Sequence, residues 1–231
     1  ATPYAAGLSV LVDDEAELGC ALVDFGGGTT TIGVFANGHL THVDGFALGG
    51  NHVTMDIARG LTIRMSDAER LKTLYGSCIS SASDDRETLA VSQVGDDGDH
   101  AHHIPKSHLV RIIRPRVEEI LELVRDRLTA AGLSAGSRQR VVLTGGACQL
   151  TGMPESARRI LSSQVRIGRP LGIQGLPESA KSPGFSASLG LLIYPQVAGI
   201  EHFEPRRSQV MKSTGTDGYV SRVGKWLRES F

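Results

Sequence analysis

The chain has 231 residues, with 24 Lys and Arg against 25 Asp and Glu and 40% hydrophobic residues, enough apolar content for a substantial core. The near balance of charge gives no basis for a nucleic-acid surface, and no apolar run approaches the roughly 20 residues of a spanning helix. Three cysteines, Cys20, Cys78 and Cys148, form no Cys-x-x-Cys pair and read as reduced, buried hydrophobes of a cytoplasmic protein.

The opening "ATPYAAGLSVL" lacks an initiator Met and any leader pattern. It reads as a helix already under way, so a fragment with an upstream portion missing is expected. Three strand-like runs follow, "LGCALVDF", "TTTIGVF" and "LTHVDGFAL", separated by Gly26-Gly27-Gly28 and by the hairpin signal Asn37-Gly38. A helix is predicted from about Gly50 to Arg59. "MSDAERLKTLYG" predicts a second, with Ser66 as N-cap, Glu69 completing a capping box and Gly76 just past the end.

Residues 80–103 are polar and acidic, with one short strand at "ETLAVSQV". The longest helix is predicted from Lys106 to Ala131, where Leu109, Ile113, Val117, Ile120, Val124 and Leu128 recur at helical spacing. Then come a strand "RVVLTGG", a helix after Pro154, a strand "QVRIG" and an apolar helix "FSASLGLLIYP". Residues 199–218 read as a linker and the last residues as a separate helix. Mixed strands and helices predict a layered α/β domain.

The glycine loop after Asp24 is neither a Walker A loop nor a Gly-x-Gly-x-x-Gly fingerprint, and it sits between antiparallel strands. Gly26, Gly27 and Gly28 would still expose N–H groups to phosphate oxygens, with Thr29 adding a hydroxyl and Asp24 holding a metal ion such as Mg²⁺ or its water. A tight hairpin at a crowded sheet edge is the plainer alternative. Gly145-Gly146 directly follows a second apolar strand, where open α/β sheets bind ligands. Glu69 and Lys72, three apart on one helix face, could meet ribose hydroxyls and an adenine edge; an ordinary surface ion pair is the bland reading.

Three other features carry less. "GLSAG" (132–136) matches a nucleophile elbow in sequence only, since a helix precedes it and a strand follows. His100, His102 and His103 with Asp96, Asp97 and Asp99 match no structural metal spacing and read as a solvated loop. Arg111, Arg114 and Arg116 could pair with an acidic peptide or simply form a solvated helix face. The terminal "GYVSRVGKWLRESF" puts Tyr219, Val220, Val223, Trp226, Leu227 and Phe231 on one stripe, flanked by Arg222, Lys225 and Arg228. That pattern favours a helix lying in a membrane interface over one docked on the core.

"DFGGGTTTIGVF", "GGNHVTMDIA", "SDAERLKTLYG" and "VLTGGACQLTGM", in this order, resemble the actin/Hsp70/sugar-kinase superfamily. With Gly50-Asn51, the "IRPRVEEI" helix and the terminal helix, the chain more closely resembles the FtsA family of bacterial cell-division proteins, over residues 4–231. The resemblance implies an actin-like (ribonuclease-H-like) ATPase domain with an inserted α+β subdomain and a C-terminal amphipathic helix. Residues 1–17 would end an upstream subdomain. Residues 18–63 and 141–198 would form subdomain IIA, 64–140 subdomain IIB, 199–217 a flexible linker and 218–231 the membrane-targeting helix. The family's first phosphate loop and subdomain 1C would lie upstream.

It further implies ATP with Mg²⁺ as a structural ligand, hydrolysed slowly or not at all, with no catalytic residue assigned. Asp24 would orient Mg²⁺ or water, Gly26 to Thr29 would hold phosphates, Glu69 and Lys72 would flank ribose and adenine, and Gly145 and Gly146 would lie against the base. Arg116, beside Pro115, matches the family arginine that takes up the acidic, apolar C-terminal tail of FtsZ; Arg111 and Arg114 follow by proximity. Filament formation, contacts with other divisome proteins and attachment to the cytoplasmic face of the inner membrane at the division site are implied as well. The rival readings are a sugar or acetate kinase, an Hsp70-type ATPase and a pilus-type assembly protein of the same superfamily.

Overall fold

The apolar run Cys20–Phe25 becomes the middle strand of a sheet, β1. The structure, a computed structural model, describes residues 1–95, 102–133, 140–171 and 175–197. The chain divides into two units, Ala1–Gln196 and Val197–Phe231, and the first contains both sheets. The expected linker and terminal helix, with Tyr219, Arg222, Val223, Lys225, Trp226, Leu227, Arg228 and Phe231, lie outside the described residues, as do Asp96, Asp97, Asp99 and His100.

Strands β2 (Thr30–Ala36) and β3 (His39–Phe46) continue from β1 as an antiparallel meander. Asn37 and Gly38 take φ of 52° and 74°, the left-handed pair that a two-residue hairpin requires. A two-stranded sheet, β4 (Thr88–Val91) with β5 (His102–Pro105), stands apart. Strands β6 (Arg140–Thr144) and β7 (Gln164–Ile167) run parallel to β1, giving the sheet order β3-β2-β1-β6-β7. The central strands are buried on both faces, hence their unbroken apolar runs, whereas the edge strand β3 is largely exposed and polar.

The helices are α1 (Thr2–Val10), α2 (Asp13–Leu18), α3 (Gly50–Leu61), α4 (Met65–Tyr75), α5 (Lys106–Ala130), α6 (Met153–Leu161) and α7 (Ser186–Val197). One sheet face, with Ala21, Val23 and Phe25, packs against α3, α5 and α6 in a single core. On the other face Cys20 and Leu22 meet Ala6 and Val10 of α1. Helix α7 crosses α1 at Gly190, where an added Cβ would lie 1.6 Å from the Ala5 carbonyl oxygen, so only glycine allows the approach.

Two local expectations change. Helix α4 begins at Met65 with Arg64 as N-cap, so Ser66 lies inside the first turn and Glu69 makes no capping box. Its carboxylate turns instead toward Thr54 and Lys72, where it pairs with a buried ammonium that needs a charged partner. His102 and His103, expected in a solvated loop, pair with Val91 and Ala90 in β5. "HHIP" has no apolar alternation of its own, and its conformation is set by the neighbouring strand. Gly132 ends its helix turn at φ +85°, while residues 134–139 of the "GLSAG" region lie outside the described residues.

One ion pair ties the two ends of this unit together. Buried Glu15 of α2 accepts from Arg166 Nε of β7 at 2.7 Å, and that guanidinium also donates to the Val10 carbonyl at 2.9 Å. The hydrogen bond from Arg166 holds the Glu15 carboxyl below its ordinary value of 4.5, against burial, which raises it. Because the folded value is the lower one, the pair stabilises fully above pH 4.5 and progressively less as pH falls through the depressed value. Arg166→Leu should cost about 2 kcal/mol at pH 7, since it strands a buried carboxylate, and much less at pH 3. Thermal melts at the two pH values check this.

Candidate functional site

Strands β1 and β6 are parallel neighbours with Asp24 beside Thr144, so the turns that follow them leave the sheet at the same edge. This is the carboxyl end of a parallel pair. The glycines there divide into two kinds. An added Cβ on Gly26 would lie 2.9 Å from the Thr29 carbonyl oxygen, and one on Gly27 would lie 3.2 Å from Asn51 Oδ1. Gly145, at φ 86° and ψ 162°, occupies a region essentially restricted to glycine, and its Cβ would fall 2.4 Å from Asp24 Oδ1. These three are required by the protein's own packing. Gly28 and Gly146 differ: both are exposed, and among the described residues nothing lies within 4 Å of a Cβ built on either. They leave backbone bare toward open space.

The second turn is braced from behind. The Gly145 N–H donates to the Pro183 carbonyl at 3.1 Å. The Thr144 hydroxyl is 2.7 Å from that of Ser186 and faces the Gly168 and Pro183 carbonyls at 3.1 and 3.2 Å. The first turn is braced by α3. Gly50 N–H donates to the Gly26 carbonyl at 2.9 Å and Asn51 N–H to the Gly27 carbonyl at 2.8 Å. Thr30 behind the loop donates to the Leu48 carbonyl at 2.8 Å. Thr29 is exposed at the loop's end.

Asp24 is half-buried, and among the described residues no cation or donor bonds its carboxylate. Burial raises its carboxyl above the usual 3.8. The Cys148 thiol is pushed up to about 12, by burial first and by the Asp24 carboxylate second. Thr31 stands directly opposite Asp24 across the β1–β2 pair, and its buried hydroxyl has no hydrogen-bond partner among the described residues. An unpaired carboxylate beside an unpaired hydroxyl is a donor set suited to a hydrated hard cation. Asp24 was readable from the sequence; Thr31 was not, because only the strand register brings it opposite Asp24.

The Glu69–Lys72 pair is no surface ornament. Lys72 is buried, and its ammonium donates to the Gly50 carbonyl (3.1 Å), the Thr54 hydroxyl (2.8 Å) and Glu69 Oε2 (2.6 Å). Thr54, which the sequence did not single out, also lies 2.5 Å from the same Glu69 oxygen. Burial raises the Glu69 carboxyl, but bonds from Lys72 and Thr54 outweigh it and hold the group below 4.5. Half of the Glu69 side chain remains exposed.

The three arginines of α5 do not form one patch of free charge. Arg116 is bidentate on Asp56 of α3, at 2.6 and 3.2 Å, and also bonds Glu119. Arg114 bonds Glu118 at 2.8 Å, which in turn accepts from Arg159 at 2.5 Å. Arg111 is exposed and makes no ion pair among the described residues.

The profile of the family "Cell division protein FtsA" matches residues 21–190, most of the chain and all of this site. The chain belongs to the FtsA family. Cell division protein FtsA of Rhizobium meliloti (strain 1021) is 55% identical over 232 residues, covering 100% of this chain and 52% of the relative. The chain therefore spans about half the length of the FtsA relatives it matches. Among solved structures, MreB5 of Spiroplasma citri bound to ADP aligns over 87% of this chain and 61% of its own, with TM-score 0.65 and 18% identity. The MamK double helical filament aligns over 83% and 58%, with TM-score 0.58 and 16% identity. At such identity these structures show the fold, which is actin-like, with helices on a central mixed sheet.

Proposed function

We propose that this FtsA-family chain contributes one wall of an ATP site in a cell-division protein that joins the FtsZ ring to the cytoplasmic membrane. The observation that carries the nucleotide reading is the unpaired Asp24 carboxylate between two bare backbone turns, at Gly28 and Gly146. Gly26 and Gly27 shape the first turn and Thr29 closes it, so that its N–H groups can meet phosphate oxygens. Gly145 sets the course of the second turn and Gly146 leaves room for the nucleoside. Asp24, with Thr31, would hold Mg²⁺ or its water, and Mg²⁺ when bound would neutralise phosphate charge. Glu69 lies at the sugar end. That MreB5 was captured with ADP supports the same use of this fold. Titrating the full-length protein with ATP, with and without Mg²⁺, tests this: saturable, Mg²⁺-strengthened binding is expected, and no heat or fluorescence change at millimolar ATP would refute it.

The partner assignments rest on family membership and the sequence. Subdomains IIA (18–63 and 141–198) and IIB (64–140) would carry the ATP wall and the FtsZ-tail surface respectively. Arg111 is the α5 cation available to an acidic tail, and Arg116 serves it only if its bond to Asp56 opens. Self-association into filaments has a parallel in the MamK double helix of the same fold.

Among the described residues no helix is long and apolar enough to cross a membrane. The segment 218–231 would instead lie flat in the interface of the inner membrane, on the cytoplasmic side at the division site. Trp226, Leu227 and Phe231 would insert, while Arg222, Lys225 and Arg228 each contribute roughly 1 kcal/mol against anionic lipid. Trp226→Glu should abolish most co-sedimentation with anionic liposomes and leave the melting curve unchanged. Unaltered sedimentation with a large fall in Tm would show a docked helix instead.

A further inference from the structure

Three hydroxyls from distant parts of the chain meet behind the second turn: Ser9 of α1, Thr144 at the end of β6 and Ser186 at the start of α7. All three residues are fully buried, so none of them can touch a ligand. Thr144 ends the apolar run Val141-Val142-Leu143, and a hydroxyl at such a depth is tolerated only where it is bonded.

Hydrogen counting gives the direction of each bond. Thr144 has one O–H and three oxygens around it: Ser186 Oγ at 2.7 Å, the Gly168 carbonyl at 3.1 Å and the Pro183 carbonyl at 3.2 Å. The Pro183 carbonyl already accepts two N–H groups, from Gly145 and from Ser186. The Gly168 carbonyl has no donor but Thr144 among the described residues, and the Ser186 hydroxyl has no other acceptor there. Every group is satisfied when Ser186 donates to Thr144 and Thr144 donates to Gly168. Ser186 is itself anchored, since its carbonyl accepts from Ser9 Oγ at 2.7 Å.

Ser186 thus clamps two successive residues of the second turn. Its hydroxyl bonds Thr144, and its N–H shares the Pro183 carbonyl with the Gly145 N–H. The segment so clamped backs the open glycine: a Cβ built on Gly184 would lie 3.6 Å from Gly146 Cα and 3.8 Å from its nitrogen. At the rim, Gln149 Nε2 donates to the Gly146 carbonyl at 3.3 Å, and Gln149 Oε1 accepts from Ser182 Oγ at 3.2 Å.

We propose that the Thr144–Ser186 hydroxyl pair is a positioning element for the nucleoside-side turn, acting on Gly146 through the 183–186 segment. This rests on the ATP reading above, in which Gly146 leaves room for the nucleoside. Removing the Thr144 hydroxyl strands a buried donor on Ser186 and a buried acceptor on Gly168. Removing the Ser186 hydroxyl leaves only an idle lone pair on Thr144, so its effect is the smaller.

The test is competition of labelled ATP by ATP and by adenosine on the full-length protein, with Mg²⁺ present, beside melting curves. Thr144→Val, which keeps the shape, should weaken ATP and adenosine alike by about tenfold, and Ser186→Ala by about threefold. Thr144→Ser, which keeps the hydroxyl, should bind both within about twofold of wild type, although it too melts lower for want of a buried methyl. Unchanged affinity in Thr144→Val, or losses that follow the melting temperature equally in the Val and Ser variants, would overturn the proposal. A loss for ATP without one for adenosine would overturn it as well, by placing the effect at the phosphates. If Thr144→Val fails to fold, Ser186→Ala decides: equal losses support the proposal and unchanged affinity refutes it. Absence of ATP binding by the wild type would sink the nucleotide reading itself, and this inference with it.

Discussion

Substituting two adjacent glycines should give opposite kinds of failure. Gly145→Ala is expected to destabilise the fold by about 3 kcal/mol or more, since it forces a side chain into a backbone region reserved for glycine and against neighbouring backbone. The added Cβ would sit 2.4 Å from both Asp24 Oδ1 and the Phe25 carbonyl oxygen; the carboxylate can turn aside, but the Phe25 carbonyl belongs to the backbone of β1 and cannot withdraw without disturbing the strand. For a domain of this size that corresponds to a fall in Tm of about 10 °C. Gly146→Asp should melt like the wild type, because nothing lies within 4 Å of its Cβ among the described residues. Its carboxylate would, however, project where ligand phosphates or base would lie, so ATP affinity should fall by about 100-fold or more through charge repulsion and exclusion. Melting curves paired with ATP titration separate the two. A folded Gly146→Asp protein with unchanged affinity would remove the second turn from the site.

Asp24→Asn should raise stability and weaken Mg²⁺-dependent binding together. Burial lifts the Asp24 carboxyl above 3.8, so the folded state holds its proton more tightly than the unfolded chain does. A raised carboxylate value means that stability falls as pH climbs from 3.8 through the folded value, and stays lowered above it. Without ligand, the Asn variant should therefore melt higher than wild type at pH 7 and lose that advantage near pH 3.8. With ligand the order reverses: Mg²⁺ should strengthen ATP binding to the wild type about tenfold more than to the variant. Identical Mg²⁺ dependence in both proteins would take the cation away from Asp24.

Sequence reading succeeded where the determinant is local. Asn37-Gly38 specifies its hairpin by backbone preference alone, and the spacing of Leu109, Ile113 and Val117 fixes α5 to within a residue of its end. Glycine loops and Asp24 were legible for the same reason. What the sequence could not separate is which glycines serve packing and which stand open, since Gly27 and Gly28 differ only in whether Asn51 of α3 lies against them. Glu69 and Lys72 were readable as a pair from their spacing. The burial of Lys72 depends on Gly50 and Thr54, 22 and 18 positions away, and was invisible. Arg116 looked available because its partner Asp56 is 60 positions distant.

The pairing of β1 with β6 has a consequence for how the molecule is made. Cys20 aligns with Arg140 and Asp24 with Thr144, so the strands that carry the two bare turns are 120 positions apart in the chain. The meander β1-β2-β3 closes over a few residues and can form early, whereas the β1–β6 contact must first close a long loop. During synthesis the first turn and Asp24 leave the ribosome well before the second turn exists. No intermediate lacking β6 can bind ligand through both turns, so any nucleotide that needs both recognises only chains in which β1 and β6 have paired. Ligand present during folding would then draw the β1–β6 closure forward by mass action, without assisting the meander.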